Sequence, residues 1–132
     1  VAAEFSVKTS KTTEMIDMTD QVRDQVGRSG VRNGLVVVYV PHTTAGVTIN
    51  EGSDPSVKAD ILETINEIVP WDKVYGHAEG NSPAHIKSSL IGPSVTIILE
   101  DGQLRLGQWQ SIFFCEFDGP RHRRVLVKVW SG

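Results

Sequence analysis

The run Leu35-Val36-Val37-Val38-Tyr39-Val40, entered through Asn33-Gly34 and closed by Pro41, constrains the fold more than any other segment. β-Branched side chains lose rotamer freedom in a helix and pack well on a pleated surface, so the run reads as a strand. A second apolar run, Gly46 to Asn50, follows Pro41-His42-Thr43-Thr44 and reads as another strand. His42 is thereby left at the end of the first. Both runs, and Val95 to Leu99, are far too short to span a bilayer.

Around this pair the pattern alternates between strand and helix signals. Residues 3 to 9 and 12 to 18 alternate weakly between apolar and polar side chains, with Ser10-Lys11 as a turn between them, which suggests a hairpin. A helix is expected over 20 to 29, capped by Thr19 or Asp20, with Val22 and Val26 one turn apart and Gly30 at its end. The clearest helix runs over 54 to 69: Ser53 or Asp54 caps it and Pro55 takes the first position. Its apolar stripe is Val57, Ile61, Leu62, Ile65, Ile68 and Val69, and Pro70 stops it. A shorter helix is expected over 83 to 91, with Ser82 as cap, Pro83 first and Gly92 just past the end. His85 then lies in its first turn. Strands follow at 94 to 99, 103 to 106, 110 to 117 and 123 to 130, with a turn at Glu100-Asp101-Gly102.

Strands joined by such short turns are most simply antiparallel, and there is no regular βαβ alternation. The expected class is α+β, a mostly antiparallel sheet with helices packed on one face. The 132 residues show no repeat, low-complexity tract or Gly/Ser linker, so residues 1-132 are expected to form one domain. A net charge of −3 gives no reason to expect a nucleic-acid partner, the one local exception being Arg121-His122-Arg123-Arg124. No basic-then-apolar leader opens the sequence, and the lone Cys115 has no internal disulfide partner. Together these suggest a soluble, cytoplasmic protein with no membrane partner.

The four histidines are the residues richest in chemistry. Neutral imidazole is the commonest protein ligand for zinc and similar ions. His42, His77 in the Gly76-to-Asn81 loop and His85 all sit at element ends, where functional side chains collect. Three protein ligands and an open position is the pattern of a catalytic metal, whereas structural zinc sites usually close with four and use cysteine. The spacing matches no short ligand motif, so solvated or packing histidines remain the alternative on sequence chemistry alone. His122, beside arginines, reads as a surface residue. Trp71, after Pro70, reads as helix-end packing, and Cys115, in an apolar strand, as an inert core thiol. Gly76 to Gly80 lacks the lysine and hydroxyl of a phosphate-binding P-loop.

Four segments in order carry a resemblance: Pro41-His42-Thr43-Thr44-Ala45-Gly46, Gly76-His77-Ala78-Glu79-Gly80-Asn81-Ser82-Pro83-Ala84-His85, Gly107-Gln108-Trp109-Gln110 and Glu116-Phe117-Asp118-Gly119-Pro120-Arg121. Together they closely resemble the YjbQ-like family, the secondary thiamine-phosphate synthase enzymes, from Asp17-Met18-Thr19 to the C-terminus. The resemblance implies an α+β fold assembled as a homotrimer. It also implies that His42, His77 and His85 gather around one divalent metal. The reaction it implies joins hydroxymethylpyrimidine pyrophosphate to thiazole phosphate, giving thiamine phosphate and pyrophosphate, as a main or a side activity.

For that small phosphorylated substrate, Arg121 offers a forked cationic grip, and Asn81, Ser82 and the amides of the following helix offer further anion contacts. The bland reading pairs Arg121 with Asp118 or Glu116. Thr43 and Thr44 either bind phosphate or satisfy their turn. Glu116 and Glu51 are the candidate general bases, or, for Glu116, a carboxylate orienting a ligand histidine; solvent exposure and helix entry are the respective alternatives. Trp109 either stacks on a heterocycle or belongs to core or subunit interface. Three imidazoles favour zinc, whereas pyrophosphate chemistry ordinarily uses magnesium. That tension keeps two further readings open: a zinc-dependent hydrolase with a metal-activated water, and a non-catalytic metal- or ligand-binding trimer.

Overall fold

The valine-rich run is the central strand of a sheet in the computed structural model, which describes residues 2–132. In chain order the elements are β1 (Ala3–Lys8), β2 (Glu14–Asp17), α1 (Thr19–Ser29), β3 (Gly34–Tyr39), β4 (Ala45–Glu51), α2 (Pro55–Ile68), α3 (Ser82–Ile91), β5 (Ser94–Glu100), β6 (Gln103–Leu104), β7 (Gln110–Glu116) and β8 (His122–Ser131). Every strand pairing is antiparallel, so the α+β class expected from the sequence is the class observed. The strands divide between two sheets, one of five in the order β1-β8-β3-β5-β6 and one of three in the order β2-β7-β4.

Strand periodicity explains the layering. On β7, Ile112 and Phe114 face the five-stranded sheet, where Val36, Val38, Ile97, Val125 and Val127 meet them. Phe113 and Cys115, one residue out of phase, face the opposite way and pack with Ile65 of α2 and Ala84 of α3. A strand buried on both faces reads as a continuous apolar run, which is why Ile112-Phe113-Phe114-Cys115 shows no alternation. Helix α1 closes the inter-sheet core through Val22 and Val26. Helices α2 and α3 cover only the outer face of the three-stranded sheet, and Leu35, Ile98 and Trp130 remain exposed on the outer face of the other.

Three local expectations change. Ser10-Lys11 does not close a hairpin: β1 pairs with β8 and β2 with β7, so the link between them carries the chain from one sheet to the other. Helix α1 begins at Thr19 itself, whose amide and hydroxyl both donate to the Asp17 carboxylate. Helix α3 begins at Ser82, with Asn81 in the cap position and no side-chain cap bond. Helix α2 starts as read, Asp54 accepting from the Ser56 amide at 2.9 Å and Pro55 in the first turn. Among the described residues no helix is long and apolar enough to cross a membrane.

The end of α3 docks onto β4 with almost no space between them. The Val47 amide donates to the Gly92 carbonyl at 3.1 Å, and a β-carbon placed on Gly46 would lie 2.7 Å from that same oxygen. Gly46→Ala must therefore push main chain apart, since no flexible side chain can give way. Urea unfolding should show a loss of roughly 1–3 kcal/mol, the usual cost of overpacking.

Candidate functional site

Two backbone bonds bring His42 and His85 to one cleft. Val47 holds Gly92, and the Val40 amide donates to the Pro93 carbonyl at 2.8 Å, so the α3-to-β5 link lies across the 40–45 loop. Between them lies a cleft of about 330 Å³ lined by His42, Thr43, His85, Ser88 and Ser89 over Ala45 and Pro93. His85 is also the wall of a second cleft, of about 300 Å³, shared with His77, Ser82 and Tyr75. The His77 and His85 rings meet edge to face with centroids 5.5 Å apart. His77 Nε2 also lies 3.7 Å from the Glu79 carboxylate.

The segment carrying His77 is anchored from below. Tyr75 donates its hydroxyl to the Pro70 carbonyl at 2.6 Å. Lys87, fully buried on α3, donates to the Asn66 side-chain carbonyl of α2 and places its ammonium 5.5 Å from the Trp71 ring centre. Among the described residues no carboxylate pairs with it, and burial pushes its pKa down. Lys87 escaped the sequence reading; its only signal is that it shares a helix face with Ala84 and Ile91.

Behind His42 lies a buried ion pair. On β7, Glu116 shares the face of Ile112 and Phe114, so its carboxylate enters the space between the sheets with no exposure at all. Arg123 of β8 meets it with two donors, Nε and Nη2, and Nη2 reaches on to the Thr44 hydroxyl at 2.8 Å. The Thr9 hydroxyl and the Asp118 amide fill the remaining positions on Glu116. Both carboxylate oxygens are thus occupied, and no cleft exposes them. Glu116, the candidate general base, and the Thr44 hydroxyl, a candidate phosphate ligand, are thus both engaged by Arg123. Arg123 was missed among its basic neighbours; the alternation Arg123, Val125, Val127 is the signal that places it inward.

At the start of α3, Asp118 ties two candidates together: it accepts from the Asn81 amide group and from Arg121 Nη2, each at 3.0 Å. The bland pairing of Arg121 with Asp118 is therefore present, and the exposed guanidinium keeps further N–H groups without a partner among the described residues. Glu51 and Trp109 stand elsewhere. The register sets Glu51 opposite Gln110 and Ala45 opposite Glu116, so they lie at the far end of β4 and β7. Six residues of strand put about 20 Å between that end and Ala45, which lines the cleft with His42. Within one chain neither residue belongs with the histidines, and Glu51 is engaged by the Ser53 amide and hydroxyl.

Residues 3–132 match the family described as UPF0047 protein YjbQ-like. The chain belongs to this YjbQ-like family. It is 52% identical over 125 residues to a UPF0047 protein of Methanocaldococcus jannaschii, covering 95% of this chain and 91% of that one. It is 49% identical to UPF0047 protein YugU of Bacillus subtilis, covering 95% and 96%. The crystal structure of an uncharacterized conserved family member from Clostridium acetobutylicum superposes with a TM-score of 0.95 at 53% identity, covering 97% and 99%. A YbjQ-like protein of unknown function from Sulfolobus solfataricus does so with a TM-score of 0.96 at 32% identity, covering 100% and 97%.

In this YjbQ-like protein the imidazoles supply the donor type that a borderline divalent ion prefers, but they are not assembled as one ligand set. Among the described residues no group of three His, Cys, Asp or Glu side chains is close enough to hold an ion. His42 and His77 lie on either side of His85, in separate clefts. His42 Nε2 is also taken, accepting the Arg124 amide at 3.0 Å, which leaves Nδ1 as the protonated nitrogen of the neutral ring.

Burial, then the charge of Arg123, lowers the His42 pKa below 6.5, against smaller opposing effects from the Arg124 amide bond and Glu116. A lowered pKa means that the unfolded chain takes up the proton first, so this contribution to stability is present above pH 6.5 and lost as pH falls below it. In the metal-free protein, an NMR titration should find His42 neutral at pH 6.5; half-protonation at or above that value would contradict the geometry. Replacing Arg123 by Ala strands the Glu116 charge and should cost about 3–5 kcal/mol in urea unfolding. A small loss would mean that the pair does not hold the sheets together.

Proposed function

We propose that this YjbQ-like protein is a metal-dependent enzyme acting on a small phosphorylated substrate at the two histidine clefts. The specific reaction we assign is the coupling of hydroxymethylpyrimidine pyrophosphate with thiazole phosphate, a transferase reaction of the thiamine-phosphate synthase type. The observation that carries this reading is the sharing of His85 by two adjoining clefts, one with His42 and one with His77, beside the Asn81-Asp118-Arg121 cluster. Two clefts suit two substrates.

Bringing the three histidines to one ion requires side-chain rotation and release of His42 Nε2 from the Arg124 amide. A divalent ion held there, zinc by ligand type or magnesium by substrate type, would neutralise charge on the leaving pyrophosphate. The chain's own groups do the rest. Arg121, oriented by Asp118, grips phosphate oxygens with its free N–H groups; Ser82 serves the His77 cleft and Thr43 the His42 cleft. Nothing in this coupling needs a strong base, because the thiazole nitrogen attacks with its own lone pair.

That point separates the coupling from the hydrolase alternative. Activating a water wants a nearby carboxylate; Glu116 is saturated and Glu51 stands at the other end of the sheet, which leaves the exposed Glu79 beside His77 as the one that the hydrolase would have to use. Self-association as a homotrimer is part of the proposal. It is supported by the uncovered apolar patch of Leu35, Ile98 and Trp130, which adjoin one another across β3, β5 and β8.

The test is direct. Purified protein of measured metal content should make thiamine phosphate from the two precursors, and chelation should stop it. His85→Ala should lower the rate by more than about 100-fold, beyond the range for groups that only orient a ligand. No product from metal-loaded protein would sink the coupling; phosphoester or amide hydrolysis abolished by His42→Ala would establish the hydrolase instead.

A further inference from the structure

We infer that the cleft between His42 and His85 is a phosphoryl-binding subsite in which Ser88 is the buried hydroxyl donor. This inference rests on the reading of a phosphorylated substrate given above, and it adds a residue and a chemistry to the His42 side of the site.

Ser88 stands one turn after His85 on α3 and lines the same cleft. It is only 7% exposed, and its Oγ has no hydrogen-bond partner among the described residues. That is unusual for its position. A serine inside a helix ordinarily turns its hydroxyl back to the carbonyl four residues earlier, as neighbouring Ser89 does to the His85 carbonyl at 2.9 Å. A buried hydroxyl left without a partner weakens a fold, so its retention calls for something that arrives later.

The surroundings select an anion. No carboxylate is among the residues lining the cleft; its polar residues are Thr43, Ser88, Ser89 and the two histidines, and the buried Ser88 hydroxyl would turn about its Cα–Cβ bond to meet a ligand there. With Nε2 accepting from the Arg124 amide, the neutral His42 ring can only donate at its other nitrogen. Arg124 and Arg123 both act on that ring, the charge of Arg123 being offset in part by its partner Glu116. Hydroxyl and imidazole donors beside Arg124 match the tetrahedral oxygens of a phosphate monoester or the terminal group of a diphosphate. A cleft of about 330 Å³ admits one such group with part of what it is attached to.

The probes are inorganic phosphate and pyrophosphate, titrated into the metal-free full chain and followed by amide and imidazole NMR shifts. Saturable shifts should concentrate at His42, Thr43, His85 and Ser88. Ser88→Ala should weaken phosphate binding roughly ten-fold, as expected for one lost hydrogen bond to a charged oxygen. The thermal midpoint should hold or rise, because the hydroxyl has no partner in the fold. Unchanged phosphate affinity in Ser88→Ala, or shifts that map away from His42 and His85, would overturn the inference. A clear drop in the midpoint would also overturn it, by making the hydroxyl structural. The measurement needs neither metal nor turnover. Phosphate bound here by a protein that makes no thiamine phosphate would therefore sink the coupling reaction and leave the subsite standing.

Discussion

The buried pair of Glu116 and Arg123 is the interaction on which the arrangement depends. It joins β7 of the small sheet to β8 of the large one at the edge of the inter-sheet core, where apolar packing alone supplies no fixed register. Through Thr9 it fastens the residue after β1, through Thr44 the residue before β4, and through the Asp118 amide the turn that leads to Arg121. Removing two such charges from water is costly, and only a full set of partners makes it tolerable. Here every oxygen of the carboxylate has one. The same pair stands behind His42, so the group that aligns the sheets also sets the charge around the candidate site.

Legibility in the sequence followed periodicity. Helix α2, with its Pro at the first position and its apolar stripe, and the valine-rich β3 were readable within a residue or two at each end, because their patterns are local. The division of the strands into two sheets was not. A link such as residues 9 to 13 has the same composition whether it folds back as a hairpin or crosses to another layer, and partner choice is decided by contacts more than 100 residues away, as between Thr9 and Glu116. Glu116 shows the same limit. A strand buried on both faces hides its alternation, so no local pattern tells which core receives the carboxylate.

The site was legible in part. His42, His77 and His85 were singled out from their positions at element ends and from their motifs, and the fold brings them to adjoining clefts. Trp109 was grouped with them by motif and Glu51 as the carboxylate just after the strand that follows His42, yet strand direction carries both to the opposite end of the same sheet. Ser88 and Lys87 went unnoticed because a serine and a lysine inside a helix look ordinary until their burial and their partners are known. Both lie on the buried face of α3, the helix that also presents His85, so a single helix supplies packing, anchorage of the His77 segment and a wall to both clefts.

The contact between Gly46 and Gly92 sets how far His42 stands from His85. At that point the nearest approach between the two histidine-bearing segments is main chain against main chain, with the Ile91 side chain beside it. Peptide dimensions do not vary with sequence. The gauge of the cleft is therefore set where two peptide backbones touch, and any side chain larger than hydrogen at position 46 would wedge the two imidazoles apart.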